Sequence, residues 1–144
     1  MQNPFDWNSI NTIVNSQLYK GKTSNFMEKS LLDLTKVGNS FFNSKLNPKL
    51  RILEIGAGSG ELFPFIKTNF SEYLMSDISN WGIDKIKNLQ SNNSKIKFEL
   101  QDIQNLKLVD NSFDWTLVSC VLAHVDEPFL SFQELKRVTK SGGG

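Results

Sequence analysis

The sequence of 144 residues predicts an α/β domain built on a parallel sheet. Two observations carry the prediction. From Arg51 onward short apolar runs alternate with stretches of helical spacing, and the first of those runs passes directly into a glycine-rich turn. A third observation narrows it: an acidic residue closes the second apolar run, at the sheet edge where open parallel sheets bind their ligands.

The part before Arg51 is polar and rich in Asn, Ser and Lys. Met27, Leu31, Leu34 and Phe41 recur along one helix face, with Gly38 at an expected position of the stripe. Asn25 followed by Glu28 has the form of a capping box, and Asn47-Pro48 ends the pattern. Residues 1–48 are therefore expected to form an N-terminal helical cap, and residues 49–144 the ligand-binding domain.

Four strands are expected in that domain, at residues 51–55, 73–77, 96–100 and 115–120. The fourth, Trp115 to Cys120, is the most apolar, as suits a strand covered on both faces. A helix is expected over about 61–70, with Leu62, Ile66 and Phe70 on one side and Pro64 tolerable only near its start. Another covers about 80–90 on Ile83, Ile86 and Leu89. Residues 103–113 have little helical pattern. A last helix over about 127–139 carries Pro128 in its first turn, where a missing N–H costs least.

Composition removes several function classes. Sixteen Lys+Arg against fifteen Asp+Glu leave a formal net charge of +1, which gives no footprint of nucleic-acid binding or of attraction to anionic membranes. One cysteine allows no internal disulfide and no Cys-rich metal cage, so no metal is expected. The opening residues lack the basic and apolar regions of a secretory signal, and no apolar run approaches the ~18–20 residues that cross a bilayer. A soluble cytoplasmic protein is expected.

Strand one ends in Glu54-Ile55-Gly56-Ala57-Gly58-Ser59-Gly60. Glycines on alternate positions let the backbone turn sharply and let a ligand approach with no Cβ in the way. A helix is expected to follow and to point its unpaired N–H groups at the ligand. Asp77, 21 residues after Gly56, stands where a carboxylate accepts both ribose hydroxyls of a nucleoside. The spacing G-x-G-x-G differs from the dinucleotide pattern G-x-G-x-x-G. Glu54 before the loop and Glu61 after it would repel a pyrophosphate and suit a ligand with an ammonium and a sulfonium.

On these residues the chain resembles the class I S-adenosylmethionine-dependent methyltransferases. Glu54 to Gly60 is similar to their first motif, Asp77-Ile78-Ser79 to their ribose-binding segment, and Gln101-Asp102-Ile103 to the segment after strand three. Phe113-Asp114-Trp115 through His124-Val125 resembles the motif around strand four, and Glu134 to Gly143 the helix and glycine turn before strand five. The resemblance implies a Rossmann-like sheet of order 3-2-1-4 and S-adenosyl-L-methionine as cofactor. It implies that Gly56, Ala57, Gly58 and Gly60 face the methionine half and that Glu54 meets its ammonium. Asp77 would hold the ribose and Asp102 the adenine amino group; Ile78 would pack on the adenine or in the core, and Ile103 and Cys120 would wall the pocket. His124, the one histidine, is either a general base for the methyl acceptor or a packed loop residue.

The resemblance further implies transfer of a methyl group to a small-molecule acceptor by in-line displacement. Ser119-Cys120-Val121-Leu122 departs from the Asn/Asp-Pro-Pro-Tyr/Phe signature of amino-directed members. The family's strands five, seven and six are expected to be missing. The alternatives are therefore a non-catalytic cofactor-binding module or an inactive fragment, and strand four is expected to have an open edge that a homodimer or other partner covers.

Overall fold

The computed structural model describes residues 35, 36, 38–40, 49–90 and 92–144. The capping box at Asn25 and the greater part of the expected helical cap lie outside the described residues. Among the described residues the chain forms four strands: β1 (Leu50–Ile55), β2 (Phe70–Asp77), β3 (Ile96–Leu100) and β4 (Trp115–Val118). All pair in parallel, in the order β3-β2-β1-β4. Helix α1 (Asn80–Gln90) follows β2 and helix α2 (Pro128–Val138) follows β4. No helix among the described residues is long and apolar enough to cross a membrane.

The period-two pleat divides the sheet side chains between two cores. On one face Ile52, Tyr73, Met75, Trp115 and Leu117 pack with Ile83 and Ile86 of α1. On the other, Leu53, Ile55 and Leu74 pack with Val138 of α2 and with Ile103, Leu106 and Phe113 from the segment after β3. The loops that carry the site emerge at the carboxyl ends of the strands.

The expected helix over 61–70 is absent, and only a 3-10 turn, Phe63–Phe65, forms there. Its backbone has other partners. Asn39, on the helical residues 38–40, donates to the Phe65 carbonyl at 2.7 Å and accepts from the Lys67 N–H at 2.8 Å. Phe70 belongs to β2, and its ring meets Tyr73 and Phe63 edge-on at 5.4 and 6.3 Å. Three packed aromatic rings on a strand outweigh a helical stripe interrupted by Pro64. Gly38 has a packing reason of its own, since a Cβ there would stand 2.1 Å from the Trp115 ring.

Strand four is also shorter than expected. It ends at Val118, because Cys120 adopts φ +60° and turns the chain out of the sheet into a 3-10 turn, Leu122–His124. Only Trp115 and Leu117 of β4 are buried. The outer edge of β4 is not bare at its start. Gly144 donates to the Asp114 carbonyl at 3.1 Å and accepts from the Thr116 N–H at 2.7 Å, the two bonds of a parallel bridge. Beyond it, Val118, Phe132 and Leu135 help to line a cavity of about 530 Å³ against α2.

Candidate functional site

The glycine loop after β1 takes its shape from its own backbone. Gly56, Gly58 and Gly60 all have positive φ, at +71°, +52° and +77°. The Ala57 N–H donates to the Ser76 carbonyl at 2.9 Å and the Gly60 N–H to the Ala57 carbonyl at 2.7 Å, which closes a tight turn over the ends of β1 and β2. A Cβ on Gly56 would stand 2.1 Å from Val121 Cγ2, so the loop after β4 packs directly on this turn. A Cβ on Gly58 would meet only the Gly56 carbonyl oxygen at 4.0 Å; the space above it is open.

Asp77 is buried at the end of β2 and ties three segments together. Its Oδ2 accepts from the Gly58 N–H at 2.9 Å, and its Oδ1 accepts from the backbone and hydroxyl of Ser79 at 2.9 and 2.8 Å. The first turn of α1 presses against it, since a Cβ on Gly82 would lie 2.7 Å from Asp77 Cγ. Gly82 is thus a site residue that sequence reasoning missed. Its signal was a glycine inside a helical stretch, where it costs about 1 kcal/mol unless a close approach requires it.

Glu54 is buried beside Tyr73, whose hydroxyl donates to Glu54 Oε2 at 2.7 Å. Burial raises its carboxyl to about 7; the Tyr73 hydrogen bond opposes the rise, and the nearby Asp77 charge adds to it. Burial and the same carboxyl push the Tyr73 phenol well above its ordinary value. Glu54 Oε1 makes no hydrogen bond among the described residues. Ser59, in the loop, donates its hydroxyl to Glu61 at 2.9 Å.

The expected helix after the loop does not form, so no helix N-terminus faces the crevice from that side. Two carboxylates, Glu54 and Asp77, stand near the carboxyl ends of β1 and β2, with no basic side chain in residues 54–60 or 77–79. That donor set fits a ligand with an ammonium and vicinal hydroxyls and opposes a pyrophosphate.

The remaining expected residues are disposed as follows. Ile78 is half exposed beside Asp77, and Leu100, paired with Asp77 across the β2–β3 ladder, is equally so. Asp102 closes an Asx turn, its Oδ1 accepting from the Gln104 N–H at 2.9 Å, while Oδ2 makes no bond among the described residues. Ile103 is buried in the second core. Cys120 is exposed on the turn that ends β4, and His124, also exposed, closes the following 3-10 turn with its N–H on the Val121 carbonyl at 2.9 Å. The structure joins Gly58, Asp77, Ser79 and Gly82 into one cluster; no described bond ties Asp102 to that cluster.

Comparison with known proteins agrees with this fold. A methyltransferase domain family matches residues 53–144. An uncharacterised methyltransferase of Schizosaccharomyces pombe is 32% identical, over 65% of this chain and 37% of its own length. A demethylmenaquinone methyltransferase of Paenarthrobacter aurescens is 30% identical, over 65% of this chain and 36% of its own length. Among solved structures, the trans-methyltransferase CalH in complex with SAH superposes with a TM-score of 0.69 at 21% identity, covering 92% of this chain and 40% of CalH. The chain spans little more than a third of the length of those two relatives.

Proposed function

The chain belongs to the class I S-adenosylmethionine-dependent methyltransferase family, and from that premise we propose that its crevice binds S-adenosylmethionine and serves methyl transfer to a small-molecule acceptor. One observation carries the reading: Asp77 is held by the Gly58 N–H at 2.9 Å, beside a glycine whose missing Cβ leaves open space. Two backbone N–H groups and the Ser79 hydroxyl fix that carboxylate, and a lone pair of Oδ2 is left to accept from ribose hydroxyls.

The other roles follow from position. Glu54 Oε1 takes the ammonium. Asp102 Oδ2 accepts from the adenine amino group, Ile78 offers an apolar surface to the ring, and Ile103 supports that surface from the core. Gly56, Ala57, Gly58 and Gly60 line the methionine half, and Cys120 stands at the wall on the β4 side. When bound, the cofactor supplies a methyl group on a positively charged sulfur, with a neutral thioether as leaving group. The protein's part is then alignment and exclusion of water. His124 receives a proton wherever the acceptor must lose one to attack. The neutral charge of the chain favours a small acceptor over a nucleic acid.

Calorimetric titration with S-adenosylmethionine, S-adenosylhomocysteine and NAD tests the reading. The first two should bind and NAD should not; Asp77→Ala and Gly58→Val should lose binding with the far-ultraviolet circular dichroism unchanged. NAD binding in their place, or full affinity in both variants, would sink it. A binding-only module is the second reading, favoured by the exposure of Ala123, His124, Asp126 and Glu127 where an acceptor pocket needs walls. Methyl transfer to any member of a small-acceptor panel excludes that reading.

A further inference from the structure

The segment from Gln101 to Phe113 has no helix or strand of its own, yet it carries Asp102 and Ile103. Its backbone is held by α2. Glu134 Oε2 accepts from the Leu106 N–H at 2.7 Å. Arg137 donates to the Leu106 carbonyl at 2.9 Å through Nη2, and through Nη1 to the Leu108 carbonyl at 2.7 Å and Asp110 at 2.5 Å. The two side chains lock each other, Arg137 Nε and Nη2 meeting the two carboxylate oxygens of Glu134 at 2.7 and 2.8 Å. Further along, Asn111, Ser112 and Phe113 donate their N–H groups to the carbonyls of Arg137 and Val138 at 2.8–3.0 Å. At the other end of the helix, Gln104 Oε1 accepts from the Glu127 N–H at 2.8 Å.

We infer that Glu134 and Arg137 are positioning residues for the adenine end of the cofactor site. The inference rests on the proposed role of Asp102 at the adenine amino group. Ile103 is buried within the Asp102 turn and Leu106 directly after it, so the turn cannot shift without moving backbone that Glu134 and Arg137 bind directly. Arginine is required by geometry. Its planar fork serves the carboxylate on one edge and two loop carbonyls on the other, and a lysine ammonium has neither the reach nor the donors to do both.

A positioning role predicts a change of specificity that general destabilisation does not. The hypoxanthine analogue of S-adenosylhomocysteine presents a carbonyl oxygen where adenine presents an amino group, so a well-placed Asp102 rejects it. The wild-type chain should prefer S-adenosylhomocysteine over that analogue by about tenfold or more in calorimetric affinity. Asp102→Asn, which can both donate and accept, sets the floor of that preference. Arg137→Lys should bring the preference down toward that floor while the protein still melts cooperatively. If Arg137→Lys does not fold, Glu134→Gln carries the test, since it keeps one acceptor for the Leu106 N–H. Equal weakening of both ligands, with the preference intact, would overturn the positioning role. Failure of the wild-type chain to bind S-adenosylhomocysteine would overturn the proposed function and this inference with it.

Discussion

The loops that leave β1 and β3 both rise to the crevice, but they are held by different means. The loop after β1 is shaped by its own backbone: three glycines at positive φ and a Gly60–Ala57 bond turn it, and the Ala57 and Gly58 N–H groups fasten it to the end of β2 beside it. The loop after β3 is shaped from a distance, by Glu134 and Arg137, which lie 28 to 31 residues further along the chain. The first must admit a ligand against bare backbone, and its side-chain support is limited to Asp77 and Val121. The second presents side chains to a ligand, and its backbone can be propped from behind. Substitutions in the first loop should therefore act through strain and clash, and those around the second through lost hydrogen bonds.

The largest effect that follows from this contrast is at Gly56. Valine there meets both a positive φ and a contact of 2.1 Å with Val121, and should cost about 3 kcal/mol of stability or more. Alanine at Gly58, with open space above it, should cost only about 1 kcal/mol and act instead on ligand binding. Thermal melts of the two variants separate the cases. Equal losses of stability would show that the loop is not shaped position by position.

A double-mutant cycle on Gly82 and Asp77 comes next. Gly82→Ala drives a methyl group into the Asp77 carboxyl and should destabilise the wild type by about 1–2 kcal/mol. In an Asp77→Ala background the obstacle is gone, and the helix propensity of alanine should make the same change stabilising by up to about 1 kcal/mol. Destabilisation of equal size in both backgrounds would mean that the glycine serves some other contact.

The contrast also explains what the sequence could and could not reveal. The four strands and both helices were legible, because pleat and helix periods are local patterns; the strand order came from the family resemblance. The glycine loop was legible because its backbone conformation restricts residue type at the position itself. The false helix over 61–70 arose because its competitors were invisible: Asn39, more than 20 residues away, takes the backbone bonds, and Tyr73 takes the Phe70 ring. The part that Glu134 and Arg137 play was hidden for the same reason. Nothing near them in sequence announces that loop carbonyls lie opposite. Cys120 has the same lesson on a smaller scale, as a residue of apolar strand character sits at φ +60° where the chain leaves the sheet.

Amide exchange sharpens the comparison further. In Arg137→Lys the Leu106 and Lys107 amides should exchange about tenfold faster, while Ala57, bonded to the Ser76 carbonyl, and Gly60, bonded to the Ala57 carbonyl, should keep their wild-type rates. Faster exchange in both loops would mean that α2 supports the whole crevice rather than one side of it.

The smallest effect concerns Glu54, the one carboxyl of the first loop region that lies under the backbone rather than beside it. Unfolded, it ionises near 4.5; folded, burial raises it to about 7. Between those values the folded protein holds the extra proton, so the stability linked to Glu54 is full below about 4.5, declines as pH rises, and is flat above 7. From pH 6.5 to 7.5 the wild type should lose less than about 1 kcal/mol on this account. Glu54→Gln should lack that decline, and the difference between the two proteins should grow with pH. Glu72 and Glu134, whose carboxyls their cationic partners hold below the usual range, act at more acid pH and cancel in the comparison. An ammonium-bearing ligand would draw the proton off, so S-adenosylhomocysteine should release protons on binding at pH 6.5 and fewer at pH 8, read as buffer-dependent heat. A difference between the proteins that stays constant across this range would mean that water already reaches Glu54 beneath the glycine turn, and that the first loop is less closed than its backbone bonds imply.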